Sequence, residues 1–210
     1  YIKFMLLDLK ELVKKYNLDI RGVVQAGSHW GEEAEIFLSL GAKNLLCFEP
    51  HPDTFKILKQ NIGEKATLIQ SALANFIGES EFYVEDNNTN QGQSNSMLEP
   101  LIHLQQYPHI QFSNKITVPV TKLDTFIALA PLYNFLASDC QGMDFEVLKG
   151  GTEFLYYIDY VMIEINREEV YKGCGLIGEV DEFLGKYGFE RVETSFVGHT
   201  WDDAFYIKSN

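Results

Sequence analysis

The stretch VVQAGSHWG, residues 23–31, decides the fold, because an apolar run leads into two glycines and an acidic run follows them. The apolar residues over 22–26 predict a short strand, and the glycines predict a tight turn at its end. Residues 32–40 predict a helix with carboxylates in its first turn, ended by Gly41. A strand, a glycine turn and a helix in this order predict that the turn binds a ligand.

Strands and helices alternate along the rest of the chain. Apolar or alternating runs predict strands over 43–50, 66–73, 80–86, 115–120, 133–139 and 159–166. Helical periodicity predicts helices over 53–62, 122–130, 143–151 and 178–188. The two last strands, 189–197 and 202–209, have no helix between them and predict an antiparallel hairpin. The sequence therefore predicts an α/β fold, a mostly parallel sheet with helices on both faces and a terminal antiparallel hairpin.

Length and composition predict one globular domain over residues 1–210, with the first 20 residues forming a helix that packs on it. The chain has 22% charged and 46% hydrophobic residues, which is typical of an ordinary globular domain. In the N-terminal helix, six apolar side chains are expected on one face: Met5, Leu6, Leu9, Leu12, Val13 and Tyr16. No run of about 18 apolar residues is present, so the sequence predicts no membrane span.

The net charge of −13 argues against nucleic acids as partners, because the protein would repel their phosphates. Cys47, Cys140 and Cys174 are odd in number and widely spaced, so the sequence predicts neither a disulfide framework nor a zinc site. Unpaired cysteines fit a reducing cytosol, and we expect a cytoplasmic protein. The sequence leaves the oligomeric state open.

Two features at strand ends indicate a cofactor that contains a nucleoside. In an open parallel sheet, ligands bind beyond the carboxyl ends of the strands. The first strand delivers the glycine turn, and the second delivers Glu49, 22 residues after Gly27. An acid at such a distance is placed to accept hydrogen bonds from the two hydroxyls of a ribose.

The spacing of the glycines favours S-adenosylmethionine over a dinucleotide. A dinucleotide motif reads G-x-G-x-x-G, whereas Gly27 and Gly31 are four apart and the middle glycine is missing. Glu32, Glu33 and Glu35 follow, and they would repel a diphosphate but accept a cationic ligand such as S-adenosylmethionine. The same acids also suit a helix N-terminus, whose dipole favours negative charge. A nicotinamide-dependent oxidoreductase therefore remains the alternative.

The order of several segments resembles the FkbM-type methyltransferases. These segments are VVQAGSHWG, LLCFEPHPDTFKILKQNI, SAL, GQSNSM, VPVTKLDTF, FLASDCQGMDFEVLKGG, VMIEIN and DDAFYIK, and they cover nearly the whole chain after the first helix. The resemblance implies the Rossmann-like fold of class I S-adenosylmethionine-dependent enzymes. It also implies an O-methyltransferase that transfers a methyl group to a hydroxyl, with a sugar or glycan as acceptor.

The resemblance further implies which residues bind the cofactor. We expect ten residues to contact S-adenosylmethionine: Gln25, Ala26, Gly27, Ser28, Gly31, Glu49, Pro50, Ser71, Ala72 and Asp139. Among them, the glycine turn would approach the methionine part, Glu49 the ribose, and Ser71 with Ala72 the adenine. Two positions depart from the family pattern, because Gln25 stands where an acid is usual and Gln141 where a glutamate is usual. These departures keep a third interpretation open, a non-catalytic cofactor-binding module.

Three side chains are candidates for acid–base chemistry. Asp139 ends a strand near the expected methyl group and is the first candidate for the base, although aspartate also suits the N-cap of a following helix. His29 is a second candidate, because histidine titrates near neutrality. Glu164, the third, and Asn166 end the next strand, and with Asp139 they form an oxygen-rich set that could hold Mg²⁺. The same groups equally suit hydrogen bonding or substrate orientation without a metal.

Two loops are candidates for the mouth of the site. The segment GQSNSM, residues 92–97, lies at the end of a polar stretch and either closes over the substrate or forms a surface loop. His199, Trp201 and Asp202 are predicted in the turn of the final hairpin, where they either reach the mouth or form a plain turn.

Overall fold

Alternating strands and helices extend over most of the chain, as predicted. The structure, a computed structural model, describes residues 6–86, 89–196 and 200–209. The strands in these residues are β1 (Gly22–Ala26), β2 (Asn44–Phe48), β3 (Thr67–Ile69), β4 (Ala72–Leu73), β5 (Gly78–Val84), β6 (Asn114–Thr121), β7 (Phe135–Ser138), β8 (Tyr160–Asn166), β9 (Phe189–Thr194) and β10 (Trp201–Lys208). The α-helices are α1 (Leu9–Tyr16), α2 (Ala34–Ser39), α3 (Pro52–Ile62), α4 (Ile102–Gln106), α5 (Asp144–Lys149) and α6 (Ile177–Gly185).

The main sheet confirms the predicted fold class. Its seven strands run in the order β3-β2-β1-β7-β8-β10-β9. All neighbours are parallel except β10, which is antiparallel to both β8 and β9. The chain leaves β1 toward β2 and β3 on one side and returns to β7 on the other, so strand order reverses between β1 and β7. In such sheets this switch point, at the carboxyl ends of the strands, is where a ligand binds.

Helices cover both faces of the main sheet. Successive side chains of a strand point to opposite faces, and in β1 Val24 and Ala26 pack with α5 and α6, whereas Val23 packs with α1, α2 and α3. All five residues of β1 are buried. Burial on both faces explains why this strand is apolar throughout except at Gln25, the residue before the glycine turn.

The first helix is shorter than the sequence pattern suggests. It begins at Leu9, because the carboxylate of Asp8 accepts hydrogen bonds from the amides of Lys10 and Glu11 and so caps it. Leu6 precedes the helix, and Met5 lies outside the described residues. Leu9 and Leu12 are buried, which fits the predicted apolar face.

A second, three-stranded sheet corrects the prediction of one strand over 66–73. That stretch divides into β3 in the main sheet and β4 in the smaller sheet, which has the order β4-β6-β5. The chain bends at Ser71, whose hydroxyl donates to the carbonyls of Ala72 and Pro119. Apolar periodicity was continuous across the bend, so it could not locate the division.

Three further predictions need correction. Helix α2 begins at Ala34 rather than at residue 32, because Glu32 instead accepts hydrogen bonds from the amide of Trp30 and the ring of His29. The segment 122–130 forms 3₁₀ helix, over Leu123–Leu132, rather than α-helix. Trp201 and Asp202 are not in a turn but are buried at the start of β10, paired with β8. His199 lies outside the described residues.

Within the part of the chain that the structure describes, no helix is long and apolar enough to cross a membrane. The three cysteines are free.

Candidate active site

A cavity of about 410 Å³ opens at the carboxyl ends of the central strands, within the size range of small-molecule sites. Nine of the ten predicted cofactor residues line it: Gln25, Ala26, Gly27, Ser28, Glu49, Pro50, Ser71, Ala72 and Asp139. The other two catalytic candidates, His29 and Glu164, line it as well. Gly31 does not, since a Cβ there would meet Leu58 and Ile62 of α3, so this glycine allows the turn to pack on the helix.

The glycine turn lies directly against the loop that follows β7. Gly27 has φ +75°, and a Cβ at this position would lie 2.0 Å from the carbonyl oxygen of Asp139. The amides of Gly27 and Ser28 both donate to the carbonyl of Phe48 at the end of β2. Gly27 is therefore required both for the backbone conformation and for the close approach of three strand ends.

Gln25 places a carboxylate in the cavity although it carries no charge. Its Nε2 donates to Glu33 Oε2 over 2.7 Å, and both residues line the cavity. Gln25 is buried, so its amide is a fixed support for the Glu33 side chain. The negative charge that the family pattern has at position 25 is thus supplied here by Glu33, eight residues later. Sequence reasoning missed this exchange, because it depends on the path of the turn between the two residues.

Glu49 is buried at the end of β2, with 6% of its surface exposed. Its Oε2 accepts the amide of His29 (3.0 Å) and its Oε1 accepts the amide of His51 (2.8 Å). Burial raises the pKa of Glu49 to about 7, although these hydrogen bonds and the nearby charge of His29 act to lower it. Each carboxylate oxygen has two lone pairs, so each can accept one further hydrogen bond from a ligand.

His29 connects the glycine turn to the loop at residues 89–97. Its Nδ1 lies 2.7 Å from Glu32 Oε1 and its Nε2 lies 2.8 Å from the carbonyl oxygen of Gln91. Burial opposes charge on the ring, but these two hydrogen bonds raise the pKa of His29 above its ordinary value. Both partners only accept, so the geometry fits an imidazolium that donates from both nitrogens. Such a ring is a clamp between two loops and not a base with a lone pair to offer.

Asp139, Gln141 and Glu164 form a hydrogen-bonded group in the middle of the cavity. Gln141 Nε2 donates to Asp139 Oδ1 over 2.6 Å and to Glu164 Oε2 over 3.4 Å. Gln141 Oε1 accepts the hydroxyl of the buried Tyr171 over 2.9 Å, which fixes the orientation of the amide. Helix α5 begins at Asp144, so Asp139 is not its N-cap. At position 141 a neutral amide therefore links two carboxylates where a glutamate would add a third charge.

The predicted magnesium set is not supported. The Gln141 amide nitrogen lies between Asp139 and Glu164, and its hydrogens would face a cation placed between the two carboxylates. Asn166 is buried but is not among the residues that line the cavity. Among the described residues there is no group of three or more histidine, cysteine, aspartate or glutamate side chains that could hold a metal ion.

The segment 92–97 is a wall of the cavity. Gly92, Gln93, Ser94, Asn95 and Met97 line it. The carbonyl of Ser94 accepts the hydroxyl of Tyr171, and the hydroxyl of Ser96 donates to the carbonyl of Gln141. The buried carboxylate of Glu85 also accepts the amide of Gly92. These contacts attach the segment to the catalytic candidates.

A histidine- and tyrosine-rich stretch forms another part of the cavity and was missed. His103, Tyr107, His109 and Ile110 line it, on and just after α4. His103 is 3% exposed, and its Nδ1 is buried without a hydrogen-bond partner. The sequence signal was the clustering of histidines and aromatics over 103–112, but neither strand-end position nor spacing connected it to the site.

Comparison with known proteins places the chain in a family. The model of the methyltransferase FkbM domain matches residues 25–191. The 2-O-methyltransferase NoeI of Sinorhizobium fredii (strain NBRC 101917 / NGR234) is 28% identical over 159 residues, which cover 72% of this chain and 65% of that protein. The match thus spans less than two thirds of the relative's length.

Solved structures share the fold at low sequence identity. The magnesium protoporphyrin IX methyltransferase of Synechocystis PCC 6803, solved with bound S-adenosylmethionine, has a TM-score of 0.53 and 13% identity, covering 95% of this chain and 76% of its own. The ribosomal protein L11 methylase of Lactobacillus delbrueckii subsp. bulgaricus has a TM-score of 0.50 and 10% identity, covering 94% and 75%. These similarities show a class I methyltransferase fold. Because the family model matches most of the sequence, the chain belongs to the methyltransferase FkbM domain family.

Proposed function

We propose that this protein is an S-adenosylmethionine-dependent O-methyltransferase that methylates a hydroxyl group of a sugar. The observation that carries the proposal is a single cavity at the switch point of the sheet, lined by the glycine turn, Glu49 and Asp139. Membership of the family supports methyl transfer, and the name of the 2-O-methyltransferase relative supports oxygen as the methylated atom.

The cofactor half of the cavity fits S-adenosylmethionine in charge and shape. This cofactor supplies a methyl group bonded to a positively charged sulfur and also carries a cationic amino group. Glu33, held by Gln25, gives the turn side of the cavity a negative charge, which suits that amino group. Glu49 has one remaining lone pair on each oxygen for the two ribose hydroxyls, and Ser71 with Ala72 would face the adenine. A diphosphate would meet Glu32 and Glu33 at the same place and be repelled.

Asp139 is the proposed base. Methyl transfer to a hydroxyl requires that the oxygen be aligned with the methyl group and that its proton be accepted by a positioned group. Gln141 occupies Asp139 Oδ1, and we assign Oδ2 to the hydroxyl proton. Glu164, linked through the same amide, would orient the acceptor. No step is assigned to a metal, because the Gln141 amide does not fit a cation between the two carboxylates.

Calorimetry with S-adenosylmethionine and with NAD tests the cofactor assignment. We expect binding of S-adenosylmethionine and no measurable heat with NAD. Tight binding of NAD with no response to S-adenosylmethionine would overturn the proposal in favour of an oxidoreductase.

Replacement of the proposed base tests the chemistry. Asp139→Asn should lower the turnover number by roughly 10²-fold or more while the Kd for S-adenosylmethionine stays unchanged. The control is Asp53→Asn, which removes an exposed carboxylate paired with Lys56 and should change neither quantity. Unchanged turnover in Asp139→Asn would remove this residue from the mechanism, and binding without any turnover in the wild type would favour the non-catalytic module.

A further inference from the structure

The cavity extends beyond the cofactor half to a wall of aromatic rings. We call His103, Tyr107, His109, Tyr171 and Trp201 the aromatic wall; all five line the cavity. The ring of His103 lies 5.1 Å from that of Tyr107 and 5.4 Å from that of Tyr171, centroid to centroid. The Tyr107 ring lies 6.4 Å from that of His109, and its hydroxyl accepts the Trp201 indole N–H over 3.4 Å. The wall is therefore one contiguous packed surface, remote in strand order from β2 and β3.

His103 brings an unused polar atom to this wall. The residue is 3% exposed, and no group of the protein hydrogen-bonds its Nδ1. Burial, together with the charge of His109, lowers the pKa of His103 to about 4, so the ring is neutral near pH 7. A buried polar atom without a partner is uncommon and calls for a ligand or a bound water. A hydroxyl group satisfies either tautomer of the ring, because it both donates and accepts.

The charges around the cavity restrict what can lie against the wall. Five acidic residues line it, namely Glu32, Glu33, Glu49, Asp139 and Glu164. Among the described residues of the lining, none is lysine or arginine. The cationic ring of His29 is already held by Glu32 and the carbonyl of Gln91. A phosphate or carboxylate on the acceptor would therefore find no countercharge and would be repelled.

We infer that the aromatic wall is the acceptor subsite, that it takes an uncharged sugar ring, and that His103 Nδ1 hydrogen-bonds a hydroxyl of that ring. The apolar C–H face of a sugar packs on aromatic rings, while its hydroxyls need the few polar groups of such a pocket. The inference rests on the proposed function and narrows it, because uronic acids and sugar phosphates are excluded as the group bound in the cavity.

The first experiment separates acceptors by charge. Oligosaccharides from mixed plant, algal and bacterial hydrolysates are divided by anion exchange into a neutral and an acidic fraction of equal hexose content. Each is incubated with the full chain and S-adenosylmethionine carrying a tritiated methyl group. We expect labelling of the neutral fraction to exceed that of the acidic fraction by at least about tenfold. Label confined to the acidic fraction would overturn the inference but leave O-methylation standing, whereas no label in either fraction would overturn the proposed function.

The second experiment uses two variants of His103 with the labelled neutral acceptor. His103→Phe keeps a ring but removes the polar atom, and it should raise the acceptor KM about tenfold while the Kd for S-adenosylmethionine stays unchanged. His103→Asn keeps a polar atom near the position of Nδ1 and should recover part of this loss. Tyr160→Phe, whose hydroxyl lies near Asp19 outside the cavity, is the matched control.

Two outcomes of the second experiment would contradict the assignment. An unchanged acceptor KM in His103→Phe would show that Nδ1 does not bind the acceptor. A rise in the Kd for S-adenosylmethionine as large as the rise in acceptor KM would place His103 in the cofactor half instead. His103→Asn decides the matter by the same two readouts if the phenylalanine variant does not fold.

Discussion

The affinity for S-adenosylmethionine should depend on pH through one buried carboxyl group, that of Glu49. Burial raises its pKa to about 7; the hydrogen bonds of two amides and the charge of His29 act against this rise, while Glu32 adds to it. In the proposed complex, only the ionised form accepts both ribose hydroxyls, so ligand binding favours loss of the proton. Roughly a tenth of the group is ionised at about pH 6 and roughly nine tenths at about pH 8. The affinity should therefore rise about tenfold over this range, or about 1.4 kcal/mol.

Calorimetry in two buffers with different enthalpies of ionisation measures this effect. At about pH 6, binding should release nearly one proton per cofactor. His29 also titrates from a raised pKa, but loss of its charge would weaken the clamp on Gln91, so its effect on affinity has the opposite sign. The matched variant is Glu49→Gln, which should bind more weakly and lose the rise with pH. A wild-type affinity that is flat or falls between these pH values would refute the reasoning, as would the same rise in Glu49→Gln.

Three other substitutions test the site. Gly27→Ala introduces a Cβ 2.0 Å from a backbone carbonyl at φ +75° and should lower the free energy of unfolding by at least about 2 kcal/mol. In thermal unfolding, Gly178→Ala, where nothing lies within 4 Å, should leave Tm unchanged or slightly higher; equal Tm values for both variants would contradict the tight approach. By calorimetry, Glu33→Gln should weaken S-adenosylmethionine binding about tenfold, whereas Glu35→Gln, which alters an exposed carboxylate paired with a surface lysine, should not; equal effects would show that position 33 is not special. Gln141→Glu adds a third carboxylate to two existing ones and should raise the pH of half-maximal rate, since like charges raise the pKa of the base; an unchanged pH–rate profile would argue against the bridging amide.

The parts of the fold and site that the sequence could predict depend on residues close together in the chain. The glycine turn and Glu49 each end a strand, and parallel strands bring their carboxyl ends to one edge whatever the details of packing. The position of Asp139 followed in the same way, because its strand neighbours β1 in the sheet. For these residues, local pattern and sheet topology were sufficient.

Other features depend on contacts that local patterns do not contain. Gln25 and Glu33 meet only because the turn between them folds back, so the absent acid at position 25 looked like a deficit. Apolar periodicity ran unbroken through residues 66–73, yet the bend at Ser71 sends the two halves to different sheets. His103 reaches the cavity from an insertion far along the chain, and its unpartnered Nδ1 is visible only once the surrounding rings are placed.

The most direct test of the account is to follow the methyl group itself. The protein is incubated with neutral sugars and S-adenosylmethionine labelled with carbon-13 in its methyl group, and the products are examined by mass spectrometry and NMR. The account predicts a sugar that has gained one labelled methyl group, with the chemical shift of a methyl bonded to oxygen. A labelled methyl on nitrogen or carbon, or no transfer by a protein that binds the cofactor, would contradict it.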